Sequence, residues 1–274
     1  MYVEIIFKAI TESVKEWLIA SLPDAEGFEE TNDGGLKAIY LKETYNEAEI
    51  TAIAAGQGLW FEKIEIEPQN WNALWESNFS AVQVDDFVSI RASFHEPQPG
   101  VQHEIVITPK MSFGTGHHAT TYLMIKQMQQ LDFRGKKVFD FGTGTGVLAI
   151  LAAQLGASQV VANDIDDWSI ENAKENFERN DVTTIQLKKS DSAQMDELFD
   201  IILANINRNV LLENMRILSE QLPDGGILVL SGILEEDISA IVECSSANGL
   251  KLREKSAKNN WVCLFFKKTS FPEK

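Results

Sequence analysis

Cysteine is scarce in this chain of 274 residues, with only Cys244 and Cys263 and no Cys-x-x-Cys spacing. Two such thiols make no disulfide framework and favour a reducing compartment. Long apolar runs are missing as well. No stretch approaches the roughly 20 residues that cross a bilayer, so no membrane span is expected. Clustered cations are the third absence: 24 Lys+Arg face 41 Asp+Glu, a net charge of −17. A grip on nucleic-acid phosphates needs such clusters, so direct DNA binding is not expected. This charge instead attracts a basic partner. The first residues, MYVEIIFKAITESVKEW, show no basic leader with a small-residue cleavage site, and a cytoplasmic location is expected. No metal site is visible. A monomer is the default expectation.

What is present suits a folded protein, with 44% apolar and 24% charged residues. The first 67 residues read strand, helix, hairpin, helix, strand, with Asn32-Asp33-Gly34-Gly35 as the hairpin turn and Asn46 capping the second helix. That βαββαβ order predicts a small ferredoxin-like domain over 1–67. Residues 68–110 read as a linker with two later strands, DDFVSIRASF and HEIVITP, joined by the turn-rich HEPQPGVQ. Trp71 and Trp75, at i and i+4, share a helix face there and are expected to pack the domain junction.

From residue 111 the pattern alternates helix and strand. Runs such as IILANI and ILVLSGI are apolar on both faces, as a parallel sheet between helices requires. The last two strands are separated only by Ala257-Lys258-Asn259, too short for a parallel crossover, so they form an antiparallel hairpin. The fold class is α/β: a doubly wound, mostly parallel seven-stranded sheet over 111–274, with a terminal antiparallel hairpin.

FGTG occurs twice, at 113–116 and 141–144. Only the second follows an apolar strand and opens a helix, with Gly142-x-Gly144-x-Gly146 between them. Glycines there let the backbone turn sharply and approach a ligand, with amides at the helix start pointing outward. The spacing differs from the Gly-x-Gly-x-x-Gly of nicotinamide enzymes, and Asp140 at the strand end opposes a pyrophosphate while suiting an amine-bearing ligand. The DFG triplet lacks the companions of a kinase site. Asp164 ends the next strand, placed for a ribose diol; Asp191 follows the third strand, within reach of an adenine amino group. Asn205 lies at the mouth of the fourth strand, beside the switch point of the sheet. Together these residues describe a pocket for S-adenosylmethionine.

At this point the chain resembles, over its whole length, the PrmA-type methyltransferases, which modify the eleventh protein of the large ribosomal subunit. The matching segments are FGTGHHATT, DFGTGTGVLAI, NDID and ANI. The family's first motif has Thr and Pro where this chain has His117 and Ala119, whereas His118, Thr120 and Thr121 are kept. The resemblance implies cofactor contacts from Thr121, Gly142, Asp164 and Asn205, and an N-terminal domain that grips a basic ribosomal protein. It further implies trimethylation of lysine side chains and an N-terminal amine. Gly144, Asp140 and Asp191 complete the expected cofactor set. Asn205 is expected to hold the amine, with His118 the best general base by chemistry. Phe113 or Trp71 is a speculative cation–π wall for a growing methylammonium. Two alternatives stay open: a methyltransferase for another protein or a small molecule, and a noncatalytic cofactor-binding scaffold.

Overall fold

The computed structural model describes residues 2–8, 10–31, 33–66, 79–110, 114 and 116–269. Trp71, Trp75 and Phe113 lie outside them. The chain divides into two compact units, Met1–Phe79 and Ser80–Lys274.

The first unit runs β1 (Tyr2–Phe7), α1 (Glu12–Ser21), β2 (Gly27–Glu30), β3 (Leu36–Leu41), α2 (Glu47–Gly56) and β4 (Glu62–Ile66). Its antiparallel sheet has the order β2-β3-β1-β4, the ferredoxin-like arrangement. Alternation along β1 sends Val3, Ile5 and Phe7 into a core with Leu18, Leu36, Ala38, Tyr40 and Ile50. The turn after β2 closes through Thr31, whose amide donates to the Gly35 carbonyl. Asn46 caps α2 by accepting from the Glu49 amide.

The second unit opens with β5 (Val82–Val84), β6 (Val88–Ala92) and β7 (His103–Ile107), a separate three-stranded sheet. The sequence reading had left Val82–Val84 in the linker, because three residues carry too little periodicity to register. β6 and β7 run parallel, so HEPQPGVQ belongs to a crossover.

The larger sheet follows: α3 (Ala119–Met128), β8 (Lys137–Phe141), α4 (Val147–Gln154), β9 (Gln159–Asp164), α5 (Asp167–Arg179) and β10 (Ile185–Lys189). Then come β11 (Ile201–Asn205), α6 (Arg208–Glu220), β12 (Ile227–Leu234), α7 (Ile238–Ala247), β13 (Leu250–Lys258) and β14 (Trp261–Lys268). The strand order is β10-β9-β8-β11-β12-β14-β13, parallel from β10 to β12 and antiparallel at β14 and β13. Central strands β8, β9 and β11 are buried almost throughout, which is why their apolar runs do not alternate. Phe139 stacks on Phe199 with centroids 5.2 Å apart, inside a core that also holds Leu211, Met215 and Leu230. Each such buried side chain contributes about 1.5–3 kcal/mol. The final hairpin turns at Asn259 and Asn260, both left-handed, one residue later than the sequence spacing suggested. Paired left-handed residues match the strand twist, and asparagine tolerates that backbone.

Candidate functional site

Where the winding of the large sheet reverses, β8 and β11 lie side by side and their C-terminal ends open into a cavity of about 850 Å³. Open α/β sheets bind ligands at this place. Its floor is the turn after β8. Gly142 and Gly146 have φ of 75° and 83°, a backbone that L side chains rarely adopt. A Cβ on Gly142 would collide with Ile206, and one on Gly146 with the Phe177 ring. Glycine is therefore required twice over.

Asp164 ends β9 and does two things. One carboxylate oxygen accepts from the Gly144 amide at 2.8 Å, the other from the Asp166 amide at 3.1 Å. It also lines the cavity, as does Asp191 beyond β10. Asn205 ends β11, where its side-chain amide donates to the Thr121 hydroxyl at 3.4 Å. Its carbonyl oxygen is buried and has no hydrogen-bond partner among the described residues. A buried acceptor left open is costly unless a ligand donates to it. Thr121 comes from the first turn of α3, and His118 caps that helix. The His118 Nδ1 lies 2.8 Å from the Thr120 hydroxyl and accepts from the Thr120 amide at 3.4 Å; the ring meets Trp261 edge-on at 4.6 Å.

The structure thus brings His118, Thr121, Gly142, Gly144, Asp164, Asp191 and Asn205 around one cavity. Asp140 stands apart from its lining. Only 1% exposed, it accepts from the Thr143 hydroxyl at 2.6 Å and so braces the glycine turn from behind. Burial pushes its carboxyl up to about 7; the Thr143 hydrogen bond works against this and the nearby Asp164 charge with it.

Several lining residues were not foreseen. Trp261 enters from β14, Glu213 from α6, and Gly232 from β12. Gly232 sits at a break in the β12–β14 register, with φ of 89° and no room for a Cβ against the Ile206 carbonyl. Ile165, the apolar residue of NDID, exposes its side chain beside Asp164. Among the described residues no group of three or more His, Cys, Asp or Glu is set to hold a metal, and no helix is long and apolar enough to cross a membrane.

The doubly wound sheet, with its glycine turn and a cavity at the switch point, is that of a class I methyltransferase, whose methyl donor is S-adenosylmethionine. Residues 9–269 match the family model for ribosomal protein L11 methyltransferase (PrmA). A relative of that name from Porphyromonas gingivalis is 46% identical over 212 residues, covering 76% of this chain and 73% of the relative. Another from Phocaeicola vulgatus is 35% identical and covers 97% of this chain and 98% of its own. The crystal structure of ribosomal protein L11 methylase from Lactobacillus delbrueckii subsp. bulgaricus superposes with a TM-score of 0.66. It is 30% identical and covers 70% of this chain and all of that one. The chain belongs to the ribosomal protein L11 methyltransferase family.

Proposed function

We propose that this protein transfers methyl groups from S-adenosylmethionine to lysine side chains and the N-terminal amine of ribosomal protein L11, adding up to three per amine. The observation that carries the reading is the open, buried carbonyl of Asn205 beside the glycine turn. In this reading Asp164 and Asp191 hold the ribose and adenine edges, and Thr121, Gly142 and Gly144 shape the rest of the cofactor wall. S-adenosylmethionine, when bound, supplies a methyl group on a sulfonium that needs no further activation. What remains for the protein is alignment, which removes much of the entropic barrier.

A lysine amine, with a reference pKa of about 10.4, has no free lone pair at neutral pH. The site must therefore favour the neutral form. Asn205 can accept an amine hydrogen without adding a charge that would hold the ammonium, and the apolar walls from Phe141, Ile206 and Trp261 disfavour the cation further. His118 serves better as a cap than as a base. Its Nδ1 is engaged by the Thr120 hydroxyl and amide at the start of α3. The first unit grips the substrate, and the acidic surface suits a basic ribosomal protein in the cytoplasm.

The test is to incubate the protein with radiolabelled S-adenosylmethionine and undermethylated ribosomes. One labelled band running as L11, with trimethylated residues on mass spectrometry, supports the reading. Label in another protein, or none, overturns it.

A further inference from the structure

A hydrogen bond joins Gly114, in the first FGTG segment, to the turn that follows the second. Thr145 lies in the second glycine turn, between β8 and α4, and is fully buried. Its hydroxyl donates to the Gly114 carbonyl of the first segment at 2.8 Å. Its own carbonyl accepts from the Asn176 side-chain amide, also at 2.8 Å. Asn176 is itself buried on α5 and takes a hydrogen bond from the Thr108 amide, just beyond β7, at 2.8 Å. Gly114 is matched to the contact. Its φ is 104°, and a Cβ there would stand 2.9 Å from the Thr145 hydroxyl oxygen. Both Gly114 and Thr145 line the cavity.

These bonds do not belong to the sheet ladder or to a helix, so the fold of the large sheet does not call for them. They act on the backbone that must meet the ligand. A glycine-rich turn is intrinsically loose, and a binding turn that wanders loses affinity with each conformation it must give up. Thr145 restrains it twice: its hydroxyl toward the first segment and its carbonyl toward α5. We infer that Thr145 is a positioning residue for methyl transfer, whose hydroxyl fixes the cofactor turn against the Gly114 segment. The inference rests on the reading that this cavity takes S-adenosylmethionine.

Thr145→Val keeps the shape and deletes the donor, whereas Thr145→Ser keeps the donor and deletes a methyl. On the full chain, calorimetric titration with S-adenosylmethionine and steady-state rates at limiting donor give Kd, KM and kcat. The Val variant is expected to raise Kd and KM for the donor about tenfold, leaving the half-buried Gly114 carbonyl without this donor, with kcat changed by less than about twofold. Ser is expected to stay within about threefold of the wild type in Kd. Gly114→Ala breaks the same contact from the other side and should follow Val, which covers the case of a Val variant that does not fold. Wild-type Kd in the Val or Ala variant overturns the inference, as does a Ser variant weakened as much as Val, since packing would then be the cause. A lowered melting temperature with unmoved Kd overturns it too. No heat with the wild-type protein sinks the cofactor reading first, and this inference falls with it.

Discussion

In the proposed function Asp164 does more than meet a sugar. Its two oxygens already hold the Gly144 and Asp166 amides, so the carboxylate fixes the turn as well as facing the cavity. Asp164→Ala is therefore expected to weaken S-adenosylmethionine binding at least about tenfold, as calorimetry will show; unchanged affinity removes the ribose assignment. Asp140 gives a pH prediction of opposite character. Its folded-state pKa, about 7, lies above the ordinary carboxylate value, so the folded protein binds more protons than the unfolded chain between about pH 4 and 7. Stability falls as pH rises through that window, by an amount on the order of a few kcal/mol for a group this buried. Asp140→Asn should abolish that fall while keeping an acceptor for Thr143, and melting curves at pH 5 and pH 8 compare the two. A wild-type protein equally stable at both values refutes the shift.

Among the elements, α5 and its C-cap carry a stripe of asparagines, Asn172, Asn176 and the capping Asn180, spaced at i, i+4 and i+8. Asn180 exchanges both of its amide groups with the backbone of Val106, much as a neighbouring strand would, and Asn172 donates to the Thr108 carbonyl. The stripe closes the edge of β7. Asn180→Ala leaves the half-buried Val106 amide and carbonyl without these partners and is expected to lower stability by about 1–2 kcal/mol, read as a lower urea midpoint at unchanged slope. Such an edge device was not legible from spacing alone, since asparagines on a helix read as a solvated face. The strand-end residues were legible for the opposite reason. Asp164 and Asn205 directly follow apolar runs, and the parallel sheet delivers every such end to one rim. Trp261 and Gly232 were not, because their place depends on β14 pairing between β12 and β13 and on a local break in register. Those are long-range facts with no short-range signature.

For the whole molecule the dominant quantity is a net charge of −17. Attraction to a basic ribosomal protein over such a surface is screened within roughly 10 Å at 0.1 M salt. The KM for that protein is expected to rise severalfold between about 0.05 and 0.3 M salt while kcat holds, since the charges steer encounter and not methyl transfer. A salt-independent KM argues against charge-guided docking. The placing of Trp261 also has a consequence in time. The cavity wall it supplies belongs to β14, the last of the described strands, which slots inward of β13 beside the older β12. Along the chain the glycine turn is laid down more than a hundred residues ahead of that tryptophan, so this side of the cavity stays open until β14 has paired between β12 and β13.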